Sequence, residues 1–155
     1  MYGVRLWSVR RARGMNAFYR GFERMLIRLH PLFKVLGYER LERPVATIEQ
    51  AVKGLLFDCR MCGQCILSST GMSCPMNCPK SLRNGPCGGV RADGNCEVKP
   101  DMRCVWVEAY GGSQRIPGGV ESMSKVQFAV DQRSQGHSSW LRVVREKSAG
   151  PKGVA

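Results

Sequence analysis

Apolar positions are spaced differently along three stretches of the chain. Between residues 15 and 29, Met15, Phe18, Tyr19, Phe22, Met25, Leu26 and Leu29 recur at steps of three and four, while Arg20, Glu23, Arg24 and Arg28 fill the other face. That period predicts an amphipathic helix. Pro31 predicts an end or kink near Leu29, after which Leu32, Phe33 and Leu36 form a short helix running to Gly37. The longer helix has two readings. It packs on its own domain, or it docks a partner through Phe18, Phe22 and Leu26, because a small domain offers little core to cover it. Residues 1–13 are short, basic and lightly patterned, and read as an arm that is disordered alone. Residues 38–46, ending Glu42-Arg43-Pro44-Val45-Ala46, read as an extended connector. Thr47 with Gln50 three residues on has the form of a capping box, and Ile48, Ala51, Val52 and Leu55 give a short helix that delivers the chain to Cys59.

From residue 59 to 104 the periodicity is gone, and Gly63, Gly71, Pro75, Pro79, Gly85, Pro86, Gly88, Gly89 and Gly94 predict loops. Asp93-Gly94 marks a tight hairpin turn between Gly89-Val90-Arg91 and Cys96-Glu97-Val98. Val105, Trp106, Val107 and Tyr110 are expected to cover the core that follows. Periodicity over 120–135 is weak. Ser138 or Ser139 caps a last helix through Trp140, Leu141, Val143 and Val144, and the tail after Lys147 is expected to fray. The fold expected is a small irregular Cys-rich metal-binding domain, loop-dominated, with flanking α-helices and at most a short β-hairpin. Its parts are a basic arm and amphipathic helix (1–43), the Cys-rich metal-binding domain (44–111) and a C-terminal extension with a short helix (112–155).

The loops carry the chemistry. Cys59, Cys62, Cys65, Cys74, Cys78, Cys87, Cys96 and Cys104 all fall within 46 residues, with the spacing C-x2-C-x2-C-x8-C-x3-C-x8-C-x8-C-x7-C. Disulfides suit an even count but belong to secreted chains. Ser8-Val9-Arg10-Arg11 has a twin-arginine look, yet no apolar stretch follows it, so a cytoplasmic protein is expected. Zinc would take the eight thiolates four to an ion. A cubane iron–sulfur cluster offers separate iron corners to a short loop, so C-x2-C-x2-C reaches three of them and a distant thiolate takes the fourth. Cys59, Cys62 and Cys65 form that triplet, and Cys74-Pro75 and Cys78-Pro79 echo the Cys-Pro ending of ferredoxin motifs. The expectation is two [4Fe–4S] clusters, with two Zn as the alternative, in an all-thiolate shell, since neither His30 nor His137 lies in the segment.

Charge and size narrow the function. The chain carries +12, with 10 cations and 3 acids in residues 1–43, 7 and 6 in 44–111, and 7 and 3 in 112–155. A nucleic-acid-binding zinc protein would carry its cations on the element that enters the groove. Here the cysteine segment is nearly neutral, which disfavours nucleic acid as a partner. No apolar run is long enough for a membrane span. With 155 residues the chain is also too short for a TIM barrel of about 250. No residue stands out as a catalytic acid, base or nucleophile, so whatever chemistry occurs here is expected to be small or shared with a partner.

Several linked motifs carry a resemblance. Cys59-x-x-Cys62-Gly63-x-Cys65 continues to Cys74-Pro75-x-x-Cys78-Pro79-Lys80, then Arg83-Asn84-Gly85-Pro86-Cys87-Gly88-Gly89, Cys96-Glu97-Val98 and Cys104-x-Trp106. Over about residues 45–145, including Ser138-Ser139-Trp140, the chain resembles the cysteine-rich methylenetetrahydrofolate reductase C-terminal-like family. The resemblance implies a small accessory subunit of a flavin-dependent methylenetetrahydrofolate reductase. Flavin and folate would sit only in a separate TIM-barrel catalytic partner. With iron–sulfur clusters this chain would relay electrons between a redox donor protein and that flavin; with zinc it would be a structural or docking subunit.

Overall fold

A computed structural model describes residues 2–149. Among the described residues seven α-helices flank an irregular stretch in the chain: α1 (Tyr2–Arg10), α2 (Ala12–Arg28), α3 (His30–Leu36), α4 (Tyr38–Phe57), α5 (Val105–Ser113), α6 (Gly119–Met123) and α7 (Ser139–Ser148). Among the described residues there is no β-strand, only isolated antiparallel bridges pairing Val90 with Cys96 and Asn95 with Arg103. The first bridge, with Gly94 at φ 80° between its arms, closes the turn expected at Asp93-Gly94. The loop-dominated fold class is therefore wrong: this is a mainly helical protein with its cysteine loops between α4 and α5.

The error lies in the first 57 residues. The segment read as a disordered arm is α1, packed on α4 and α5. Its inward face is Arg5, Ser8 and Val9, too polar to show as an apolar stripe. Tertiary partners satisfy it instead. The Ser8 hydroxyl donates to the Leu56 carbonyl at 2.8 Å, and Arg5 lies 3.9 Å from Asp58. The segment read as a connector is the first half of α4, a single helix with Pro44 inside it. Proline removes a ladder donor there. Thr47, read as an N-cap, uses its hydroxyl to donate to the Arg43 carbonyl at 2.9 Å, four residues back. Glu42 also ties this half of α4 to α7, accepting from the Ser138 N–H and facing His137 and Arg145.

Helices α2, α3 and α7 follow their sequence signals, whereas α5 and α6 have no counterpart in the sequence reading. Pro31 sits in the first turn of α3, and Gly37 ends it at φ 84°. Ser138 caps α7, its hydroxyl accepting from the Leu141 N–H. The stripe on α2 divides. Phe22 meets Trp140 of α7 edge-on at 4.8 Å, and Met15 and Tyr19 pack on the core, whereas Phe18 is 71% exposed. Phe22 thus belongs to this chain's own packing. Trp106 is buried below α5, but Tyr110 faces out. Of the tail expected to fray after Lys147, Ser148 still belongs to α7 and Ala149 caps it, and residues 150–155 lie outside the described residues.

The core gathers Ala12, Phe57, Leu67, Met72, Cys74 and Ile116. A cysteine thus sits in the apolar centre beside side chains whose burial is each worth about 1.5–3 kcal/mol. Gly71 and Gly112 let the cysteine loop cross α5 backbone to backbone, and a Cβ on either would strike the other strand of the crossing.

Candidate metal centre

Helix α4 ends by turning Asp58 into the left-handed region (φ 54°, ψ 47°), and the Cys59 N–H bonds back to the Lys53 carbonyl at 3.2 Å. This closing turn aims the chain across the core. Cys59, Cys62 and Cys65 follow on a tight loop in which Met61 and Gly63 also have positive φ. Gly63 is required: a Cβ there would meet the Ser134 backbone. Residues 131–136 strap the loop from outside. The Gly136 N–H donates to the Met61 carbonyl and the Gln135 amide to the Arg60 carbonyl, each at 2.8 Å. Cys74 arrives from the core side, just before a 3-10 turn at Pro75–Asn77. The Asn77 side chain fixes that turn by donating to the Phe57 carbonyl at 2.9 Å.

These elements bring Cys59, Cys62, Cys65 and Cys74 around one small cavity. All four are free thiols. The Met61 N–H points at Cys59 Sγ (3.3 Å), and the Tyr19 hydroxyl donates to Cys65 Sγ (3.4 Å). Burial pushes the Cys74 thiol up to about 12, and the charges of Cys59, Cys65 and Cys62 act in the same direction. Burial likewise raises Cys59 to about 11, against the Met61 N–H and Lys53. For Cys59 and Cys74, burial thus favours the neutral thiol, and positive charge entering the cavity would favour the thiolate. Among the described residues, no three Cys, His, Asp or Glu side chains form a ready site for a metal ion.

Two cations that the sequence reading passed over line the same cavity. Lys53 is 1% exposed, and its ammonium donates to Glu49 and to the Ser139 hydroxyl, each at 2.7 Å. The rings of Tyr19 and Trp140 lie 5.3 and 5.2 Å from it. Burial works against this ammonium, but Cys65, Tyr19 and Glu49 outweigh it and hold its pKa above the ordinary lysine value. Glu49 accepts in turn from both Ser138 and Ser139 hydroxyls and the Trp140 N–H. The available signal was the i, i+4 spacing of Glu49, Lys53 and Phe57, which sets a charged pair on the buried face of α4. Arg83 is the second cation. Its Nη2 donates to the Gln64 carbonyl at 2.9 Å, while its Nε and Nη1 are buried without a partner.

Cys78, Cys87, Cys96 and Cys104 do not line this cavity. Three of them share a knot of loops. Cys96 bridges Val90 and donates its N–H to the Met102 carbonyl, and the Cys104 N–H donates to the Gly94 carbonyl. Cys87 is exposed, with the Gly89 N–H at 3.4 Å and Glu97, itself paired to Lys80, at 3.7 Å. Cys78 ends the 3-10 turn.

The family model described as methylene-tetrahydrofolate reductase C terminal matches residues 38–133, more than half of the chain. The chain belongs to that family. The methylene-tetrahydrofolate reductase C-terminal match starts with α4, spans all eight cysteines and stops before α7. Within this family member, Ser139 and Trp140, which complete the Lys53 setting, therefore lie beyond the matched range. No curated protein and no solved structure matches the chain. No helix among the described residues is long and apolar enough to cross a membrane.

Proposed function

We propose that this chain is a metal-binding accessory subunit of a methylenetetrahydrofolate reductase, and that Cys59, Cys62, Cys65 and Cys74 hold a [4Fe–4S] cluster. The observation that carries this is the cavity itself, ringed by four free thiols and bordered by buried cations. Two features support the fit. Three thiols on one short loop, with the fourth arriving from Cys74 beyond it, suit a cluster that offers separate iron corners, whereas zinc sites more often take two Cys pairs. The orphaned donors of Arg83 and the buried ammonium of Lys53 suit a group that is anionic with its thiolates.

When bound, such a cluster supplies one-electron transfer. In this reading the folate chemistry, with its flavin and substrate, belongs to a catalytic partner, and the family match supports the association with a methylenetetrahydrofolate reductase. The chain's own residues hold and insulate the centre: α4 and the 131–136 strap orient the thiols, and the packing of Phe57, Leu67 and Met72 keeps the core side apolar. Cys78, Cys87, Cys96 and Cys104 are proposed as the ligands of a second centre, supported by the shared loops of the last three.

Iron and acid-labile sulfide analysis of protein purified without oxygen tests this. About four of each per chain is expected for the first centre alone, and about eight if both fill. Stoichiometric zinc without iron overturns the electron-relay reading and leaves a scaffolding subunit.

A further inference from the structure

Arg83 is held in place from three directions. The Trp106 indole donates to the Leu82 carbonyl at 3.2 Å. Asn84 and Gln127 exchange two hydrogen bonds, Asn84 Nδ2 to the Gln127 carbonyl at 2.9 Å and the Gln127 N–H to Asn84 Oδ1 at 2.8 Å. The guanidinium itself is tied to the carbonyl of Gln64, the residue just before Cys65. A side chain pinned this firmly against the ligand loop still leaves Nε and Nη1 buried and unpaired. Lys53 differs: both Glu49 and Ser139 accept from it. Buried donors without acceptors are costly and uncommon, and call for a partner.

We infer that Arg83 is a binding residue for the anionic group of the four-thiol cavity, its Nε–H and Nη1–H donating to sulfur atoms of that group. The inference rests on the [4Fe–4S] reading above. A guanidinium offers its donors in a rigid planar fork, so it both holds and orients such a group, and its charge favours the more negative, reduced state.

The test uses the full chain, reconstituted without oxygen from ferrous iron and sulfide, as wild type, Arg83→Lys, Arg83→Gln and Arg83→Met. Readouts are iron release to a chelator and the midpoint potential followed by electron paramagnetic resonance. Arg83→Gln is expected to release iron ~10-fold faster or more and to show a lower midpoint; Arg83→Lys restores the charge but only part of the retention. Thermal unfolding of the metal-free proteins separates binding from a structural role. Arg83→Met removes the orphaned donors, so the metal-free variant should melt no lower than metal-free wild type, while the loaded variant melts lower than loaded wild type. If wild type takes up no iron, the cluster reading fails. If wild type loads and Arg83→Gln keeps its release rate and midpoint, or metal-free Arg83→Met is the less stable, the Arg83 inference fails alone.

Discussion

An ammonium buried beside thiols needs compensation on every side, and Lys53 has it: one carboxylate, one hydroxyl and two aromatic faces. Removing one member of a buried ion pair leaves the other charge unpaired. Lys53→Met should therefore cost about 3–5 kcal/mol in urea unfolding, because Glu49 stays buried without its cation. Replacing both, as Glu49→Leu with Lys53→Met, should recover part of that loss, since an apolar pair of similar volume carries no desolvation penalty. Equal losses in the single and double variants would show that the serine hydrogen bonds, not the ion pair, dominate. Arg83 stands at the opposite extreme: its Nη2 donates to Gln64, but its buried Nε and Nη1 have no acceptor among the described residues.

The helices are set by their close contacts as much as by their own propensities, and glycines report where. Gly112 in α5 touches Gly71 backbone to backbone. Gly112→Ala must push the cysteine loop away from the helix, and should cost about 1–3 kcal/mol or more by thermal or urea unfolding. A Cβ added at Gly54 in α4 would meet nothing within 4 Å. Gly54→Ala should stabilise the chain by about 0.5–1 kcal/mol, by removing backbone freedom from the unfolded state. The reverse order of these two effects would mean that the Gly71–Gly112 crossing is not what holds the loop on α5. The helix that contains Pro44 makes the same point: its first half persists because Glu42 binds across to α7.

At the scale of the whole molecule, the apolar surface left uncovered is informative. Val126 and Phe128 are each 85% exposed on an extended segment anchored at Gln127. Phe128 lines a cleft together with Cys65 and Arg83, so a partner seated there would lie next to the proposed centre. Phe128→Asp is expected to change the stability of the chain itself by no more than about 0.5 kcal/mol and to weaken its co-purification with a catalytic reductase subunit, with iron content unchanged. A complex that survives the change would place the interface elsewhere. Phe22, by contrast, is held by Trp140 inside the chain, and its substitution should disturb folding before association.

Neighbouring letters fixed what neighbouring residues decide. The three- and four-residue steps of Met15 to Leu29 specify α2, Pro31 and Gly37 bound α3, Ser138 caps α7, and the C-x2-C-x2-C run marks the tight loop that lines the cavity. The family too was legible, because its motifs are contiguous. Tertiary structure alone decided that residues 2–10 and 38–46 are helical: Arg5 and Ser8 turn inward to partners in a distant segment, and Glu42, two residues before Pro44, binds across to the start of α7. It also decided which of eight like thiols share a cavity, and that Lys53 and Arg83 border it. The physical reason is range. Periodicity and capping act across a few residues, whereas the contacts that build the site join Lys53 to Ser139 across 86 positions and Tyr19 to Cys65 across 46.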